Sequence, residues 1–179
     1  VSIADGDTGQ QAVEELYRHG HRRIAALISR PDDQSISQLR YEGYIQALES
    51  HGIPVDPELV ICTGGFGAKD AYRAVQEKMA ENVDFTALFA IADSMAIGAM
   101  RALMDAGRRI PEDCSVIAID GLELSAYIEP PLTTLCQPME EMGRRSAEIL
   151  LDMVRHKGSH ACELLPTTLR QGRSVAAPG

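Results

Sequence analysis

Long apolar runs and a secretion signal are both missing from this sequence. No stretch approaches the roughly 18 uninterrupted apolar residues that a membrane helix requires. The N-terminus reads VSIADGDTG, which has neither a basic start nor an apolar signal core. These absences predict a soluble, cytoplasmic protein. The 179 residues, of which 45% are hydrophobic, are enough to bury a core in one domain or in two small lobes.

Clustered positive charge is missing as well. The formal net charge is −9, and the lysines and arginines are scattered along the chain. A protein that follows a phosphate backbone needs a basic stripe or patch. The sequence therefore argues against direct nucleic-acid binding by this piece of chain.

Cysteine and histidine are too dispersed to suggest a metal site. His19 and His21 are separated by one residue and have no evident carboxylate or cysteine partners, so they are interpreted as polar residues at a helix end. Three of the four cysteines have apolar, strand-like surroundings, which favours buried thiols over a disulfide or a metal role. We therefore predict no metal and no cofactor. The cysteines are Cys62, Cys114, Cys136 and Cys162.

Catalytic signatures are absent too. The sequence contains no G-x-S-x-G elbow, no Walker-type phosphate loop and no G-x-G-x-x-G after a strand. The nearest approach, residues 63–67 (TGGFG), has the wrong glycine spacing for a nucleotide fingerprint. Asp32 and Asp33 are adjacent in a loop, where solvated carboxylates are the simpler interpretation. We predict that the chain is not an enzyme.

What the sequence does contain is a repeated switch between short apolar runs and longer segments with helical spacing. This alternation predicts an α/β fold, a parallel sheet with helices on both faces. Asp5 or Asp7 is expected to cap the first helix, and Asp93 or Ser94 the fourth, so Asp93 is interpreted as structural. The predicted strands are 23–28, 59–62, 87–91, 115–119, 132–136 and 163–170. The predicted helices are 8–19, one that carries Leu39 to Leu48, 68–79, one that reaches Ala106, and one that begins at Pro138.

Several phrases occur in the order found in one family. They are GHRRIA at 20–25, RYEGY at 40–44, ADSMAIGA at 92–99 and IPEDCSVIAID at 110–120. The set resembles the LacI/GalR-type bacterial transcriptional regulators, whose effector domains have the two-lobed fold of periplasmic sugar-binding proteins. The resemblance covers nearly the whole chain and continues through Pro131-Leu132-Thr133-Thr134, Gln137 and Arg173.

The resemblance also implies a division of the chain. Family members are almost twice as long, with a helix-turn-helix head and most of a first lobe before this point. Residues 1–4 would be a remnant of the first lobe and hinge, and 5–132 the second lobe. Residues 133–160 would form the hinge crossing and a first-lobe helix, and 161–179 the returning strand and tail. A homodimer would use the helices from Ala68 and Asp93 and the loop near Tyr127.

Candidate ligand-binding residues lie where the predicted strands end, because open parallel sheets bind ligands outside their carboxyl ends. Arg40 has donors suited to hydroxyls or a carboxylate; the alternative is a solvated helix arginine. Phe66 sits in a glycine-rich loop that cannot easily bury it, and would face a ligand or a neighbouring loop or subunit. Asp120 ends a buried strand and would accept hydroxyl donors or cap the next turn. The resemblance implies effector contact for all three.

Other candidates carry weaker signals. Gln137 matches a glutamine near the family's hinge and could reach either the crevice or the backbone. Gln34, with Ser35 and Ser37, lies in a loop that has no landmark residue. Ala92 departs from the family, where asparagine is frequent and contacts ligand, so one polar contact is expected to be missing.

The function implied is sensing of a small-molecule effector, a sugar or sugar derivative, with operator DNA bound only through a separate head. The alternative is a sugar-binding receptor of a transport system with the same fold. The visible N-terminus and the unpaired-looking cysteines disfavour that alternative. An enzyme would need a nucleophile or cofactor loop that the sequence does not show.

Overall fold

The computed structural model describes residues 1–30, 35–156 and 162–179. Strands and helices alternate, as the apolar periodicity predicts, and the α/β fold class is confirmed. The strands are β1 (Ser2–Ile3), β2 (Ile24–Ser29), β3 (Val60–Thr63), β4 (Ala87–Ala90), β5 (Ser115–Asp120), β6 (Thr133–Cys136), β7 (Leu164–Leu165) and β8 (Thr168–Arg170). The helices are α1 (Asp5–Arg18), α2 (Ile36–Ser50), α3 (Ala68–Ala80), α4 (Asp93–Asp105) and α5 (Met139–His156).

One six-stranded sheet forms the centre of the molecule, in the order β3-β2-β4-β5-β6-β8. All neighbours are parallel except β8, which runs antiparallel to β6. Every residue of β2 and β4 is buried, which explains why their sequences are continuously apolar instead of alternating. The strand order reverses direction at β2, between β3 and β4. In open α/β sheets, such a switch point is where a ligand crevice lies, at the carboxyl ends of the strands.

Two helix pairs cover the sheet. Helix α1 packs on α2, α3 packs on α4, and α1 and α4 both contact β4 and β5 from opposite faces. A Cβ atom on Gly43 would lie 2.1 Å from the carbonyl oxygen of Gly6, and one on Gly98 would lie 2.0 Å from that of Ala68. Each pair is therefore packed through a glycine, so close that no side chain fits between the backbones.

The capping predictions for α1 and α4 are wrong. Both Asp5 and Asp93 lie inside their helices, and the N-cap positions are held by Ala4 and Ala92. Their carboxylates instead contact residues from other elements. Helix α1 consequently begins three residues earlier than the prediction that started at Thr8.

The predicted last strand, 163–170, is two strands. Leu164–Leu165 pairs in parallel with Ser2–Ile3, whereas Thr168–Arg170 joins the main sheet. Pro166 lies between them, and since proline has no amide hydrogen and a fixed φ it interrupts a pairing ladder. The chain therefore passes from the two-stranded sheet of β1 and β7 into the six-stranded sheet within a few residues.

The prediction of buried thiols holds in full only for Cys114, where burial raises the thiol pKa to about 12. Cys136 is half-buried. Cys62 is exposed because it faces outward from the edge strand β3, and Cys162 is exposed just before β7.

Neither a metal cluster nor a membrane helix is found in the parts of the chain described here. Within them, no group of three or more histidine, cysteine or acidic side chains could hold a metal ion. In the same ranges, no helix combines the length and the apolar character needed to cross a bilayer.

Helix α5 presents an apolar stripe to solvent. Arg145 binds Glu163 through Nη2 at 2.8 Å, which ties the helix to the segment just before β7. The apolar side chains beside it remain more than half exposed. They are Met139, Leu150, Leu151 and Val154.

Candidate functional site

Arg40 lies at the switch point of the sheet. It comes from the second turn of α2, whose start is fixed by Ser35, because the Ser35 hydroxyl accepts a hydrogen bond from the amide of Gln38. Its side chain is only 3% exposed. The alternative interpretation as a solvated helix arginine is therefore wrong.

Three segments of chain hold the Arg40 guanidinium. Nε donates to Asp5 Oδ1 at 2.8 Å, and Nη1 donates to the carbonyl oxygen of Ile91 at 2.5 Å and to Asp120 Oδ1 at 3.1 Å. These contacts use three of the five N–H donors of arginine. Nη2 donates to no acceptor among the described residues.

Asp120 sits on unusual backbone at the end of β5. Its φ is 137°, and Gly121 follows at 78°. A non-glycine residue in this region is strained and persists where its surroundings hold it. Gln137 supplies part of that hold, since its amide nitrogen Nε2 donates to Asp120 Oδ1 at 2.7 Å and its backbone N–H to the Asp120 carbonyl at 3.0 Å.

Only one of the two carboxylate oxygens of Asp120 accepts hydrogen bonds from the described residues. Both hydrogen bonds to it, from Arg40 and Gln137, reach Oδ1. Within the described part of the chain, no donor reaches Oδ2. An open acceptor thus accompanies the Nη2 donor of Arg40 in the crevice, a pair that matches adjacent hydroxyl groups.

Asp93 has a structural role, though a different one from capping its own helix. It is fully buried and accepts hydrogen bonds from Thr134 Oγ1 at 2.5 Å, Ser125 Oγ at 2.7 Å and the Leu122 amide at 2.8 Å. Burial raises the carboxyl pKa, and these donors oppose that rise. Asp93 therefore joins α4 to β6 and to the turn after β5, which lies beside Asp120.

Phe66 is 43% exposed in the turn between β3 and α3. The carbonyl oxygen of Phe66 accepts a hydrogen bond from Ser94 Oγ at 2.7 Å, which attaches this turn to the start of α4. An aromatic face is thereby available near the same edge of the sheet.

The remaining loop candidates separate into two groups. Ser35 caps α2, and the Ser37 hydroxyl donates to the Ser29 carbonyl at 2.9 Å, so both hydroxyls already stabilise the fold. Gln34, together with Asp32 and Asp33, lies outside the described residues.

Asp5 is the residue that sequence reasoning missed. It was interpreted as a helix cap, yet its carboxylate binds Arg40 across 35 positions of sequence. No local spacing signals such a contact. The structure places it one residue after the N-cap Ala4, and a carboxylate inside the first turn is free to bind elsewhere.

A family model described as a periplasmic binding protein-like domain matches residues 13–175. The HTH-type transcriptional repressor CytR of Escherichia coli K12 is 38% identical over 160 residues, which are 86% of this chain and 46% of the relative. The HTH-type transcriptional regulator CelR of Thermobifida fusca is 36% identical over 171 residues, covering 94% of this chain and 50% of the relative. The chain thus spans about half the length of these curated relatives.

Solved structures agree with the sequence relatives. A transcriptional regulator CelR–cellobiose complex superposes with a TM-score of 0.89 at 34% identity, over 97% of this chain and 53% of the other. A dimeric Lac repressor with a C-terminal deletion superposes with a TM-score of 0.90 at 30% identity, over 98% and 64%. A regulator from Enterococcus faecium with bound ribose reaches 0.85 at 32% identity, over 98% and 64%.

Proposed function

This chain belongs to the periplasmic binding protein-like family, within the LacI-type transcriptional regulators, and we propose that it forms about half of a sugar-sensing site. The observation that carries the proposal is the pair formed by Arg40 and Asp120. A buried guanidinium and a strained carboxylate converge at the sheet's switch point, and each keeps one polar atom that has no partner among the described residues.

A sugar fits this pair chemically. One hydroxyl accepts from Arg40 Nη2, and its neighbour donates to Asp120 Oδ2. Phe66 supplies an apolar face for the C–H surface of the ring, and Gln137 keeps the carboxylate oriented. Two structural relatives are complexes with cellobiose and with ribose, which supports a sugar as the ligand class.

The site is proposed to be completed by a second lobe. Residues 5–132 would form the lobe that holds Arg40, and α5 would belong to the other, which accounts for its exposed apolar stripe. An effector that contacts both lobes better in one orientation than in the other shifts the population between them. In the intact protein, this shift would change operator binding by a helix-turn-helix head, in the cytoplasm, with α3, α4 and the turn near Tyr127 joining two copies.

A transport receptor remains the second candidate for this fold. The relatives are transcriptional regulators, and the GHRRIA and IPEDCSVIAID phrases resemble those of such regulators. The regulator is therefore the function we propose.

The test is isothermal titration calorimetry on the intact protein with a panel of neutral sugars that includes cellobiose and ribose. We expect one sugar to bind at micromolar to millimolar concentration, and Arg40→Ala to abolish its binding. Arg101→Ala, which removes an exposed arginine from α4, is the matched control and should bind as the wild type does. The isolated chain should bind more weakly, because half of the crevice wall is absent.

Operator binding is the second readout. In an electrophoretic mobility assay, the sugar should change the affinity of the wild-type protein for its operator and leave the Arg40→Ala protein unaffected. Unaltered sugar response in Arg40→Ala would remove this arginine from the site. Failure of every sugar to bind the wild type would remove the ligand class.

A further inference from the structure

Two carboxylates offset the positive charge of Arg40. Its guanidinium contacts the carboxylates of Asp5 and Asp120, and the exposed fractions of the three side chains are 3%, 11% and 20%. One buried cation is therefore paired with two poorly solvated anions. Gln137, the other polar side chain in contact with this group, is uncharged.

We propose that Asp5 is a positioning residue that determines specificity: it fixes the plane of the Arg40 guanidinium and offsets its charge. The crevice then accepts an uncharged polyhydroxyl group and rejects an anionic one. This inference rests on the proposed function for the identity of the site, and it names the class of effector that the site selects.

The positioning role follows from which donors are occupied. Asp5 takes Nε, while Ile91 and Asp120 share Nη1. Contacts at Nε and at Nη1 fix the planar group in two directions, so that Nη2 has one orientation. Asp5 itself is held in the first turn of α1, so the anchor is part of a regular helix.

The specificity role follows from charge. A buried arginine with a free edge is a strong binder of phosphate or carboxylate groups, through parallel N–H donors. Here an anion placed on Nη2 would lie beside the open oxygen of Asp120 and close to Asp5. Like charges at such distances repel strongly in a poorly solvated site. A sugar hydroxyl carries no charge and meets no such repulsion.

Charge and orientation can be separated by two variants. Asp5→Asn keeps an oxygen that accepts from Arg40 Nε but removes the charge, whereas Asp5→Ala removes both. Asp7→Asn is the matched control, because it makes the same charge change on an exposed residue in the first turn of the same helix. Calorimetry at low ionic strength would use the intact protein, with inorganic phosphate as the anionic probe and the bound sugar of the previous section as the neutral one.

We expect no saturable phosphate binding to the wild-type crevice, and an increase of about tenfold or more in phosphate affinity in Asp5→Asn. Sugar affinity should fall further in Asp5→Ala than in Asp5→Asn, because only alanine frees the guanidinium. Asp7→Asn should reproduce the wild type with both probes. Circular dichroism would confirm that each variant is folded.

Phosphate binding to the wild type that Arg40→Ala abolishes would overturn the inference, and this comparison needs no Asp5 variant. Equal effects of Asp5→Asn and Asp7→Asn would also overturn it, since they would show a general charge effect. The proposed function fails in a different way, through the absence of sugar binding. In that case a phosphate response specific to Asp5→Asn would still support the role of Asp5.

Discussion

Gly43 lies on α2 between Arg40 and Tyr44, and it allows α1 to pack closely against this helix. It lies three positions after Arg40 and one before Tyr44, so all three face inward from α2. Arg40 turns to the crevice, Tyr44 fills the core, and Gly43 lets α1 approach. The R-x-x-G-Y phrase thus meets a packing requirement at Gly43, beside the binding role proposed for Arg40.

Gly43→Ala should lower the free energy of unfolding by about 1–3 kcal/mol, because its Cβ would lie 2.1 Å from the Gly6 carbonyl oxygen and must push the helices apart. Gly143→Ala in α5 is the matched control. A Cβ there meets nothing within 4 Å, so the better helix propensity of alanine should stabilise by up to about 1 kcal/mol. Urea denaturation of both variants measures the difference; equal effects would contradict the close-packing argument.

His21 is buried instead of being the polar helix-end residue expected from the sequence. Its Nε2 donates to the Ala176 carbonyl at 2.9 Å, and Nδ1 lies 3.0 Å from the Thr86 hydroxyl. Burial lowers its pKa below the ordinary 6.5. The unfolded chain therefore takes up a proton at a higher pH than the folded chain does.

Stability should accordingly fall as the pH is lowered through about 6.5, until the pH reaches the depressed pKa of the folded state. His21→Gln, which keeps a donor for Ala176, should lose less of its free energy of unfolding over this interval. Urea titrations at pH 7.5 and 5.5 would measure both proteins. If His21→Gln keeps the wild-type pH dependence, the assignment is wrong.

Arg40 and Asp120 were predictable as site candidates because a helix start and a strand end carry recognisable phrases. Asp5 was not, because its role depends on a contact that only the complete sheet creates. Gln137 was left between crevice and backbone, and in the structure its side chain donates to the Asp120 carboxylate. Local patterns identify the positions that point to the crevice; tertiary contacts decide which of them are linked.

Among the elements, α4 is joined to its surroundings through Asp93. The three donors on its carboxylate come from β6 and from the turn after β5. A residue at this helix position would ordinarily interact with its own helix amides. Asp93 instead connects a helix, a strand and a turn that the crevice depends on.

Asp93→Ala should lower the free energy of unfolding by about 3 kcal/mol or more, because it leaves buried donors of Leu122, Ser125 and Thr134 without an acceptor. Asp70→Ala, an exposed acid in the first turn of α3, is the matched control and should cost less than about 1 kcal/mol. Thermal and urea denaturation would compare them. A small effect at Asp93 would show that water replaces its carboxylate.

The strand predictions were close wherever a strand is buried on both faces, as in β2, β4 and β5, because continuous apolar runs mark such strands. They failed at the periphery. Cys62 lies on an edge strand with one open face, and β7 and β8 are too short to carry a period. Which strand pairs with which is also invisible locally, so the separate β1–β7 ladder was not foreseen.

At the scale of the whole molecule, the exposed stripe of α5 provides a test of the proposed lobe assignment. We expect Leu151→Gln to change the free energy of unfolding of this chain by less than about 0.5 kcal/mol, because Leu151 is already 52% exposed. In the intact protein the same change should cost about 2 kcal/mol, if α5 packs into a second lobe. Denaturation of both proteins, each with and without the substitution, makes the comparison. Equal effects would contradict the proposed lobe assignment.

The hydrogen bonds around Arg40 also bear on the rate at which the native state unfolds. Its hydrogen bonds join residues 35, 80 and 17 positions apart, from Asp5 to Arg40, from Arg40 to Asp120 and from Asp120 to Gln137. Such non-local contacts close only after the strands between them have assembled. Interactions that form after the rate-limiting step slow unfolding and leave the folding rate unchanged. The residues of the proposed ligand site would thus also delay the opening of a sheet that has already formed.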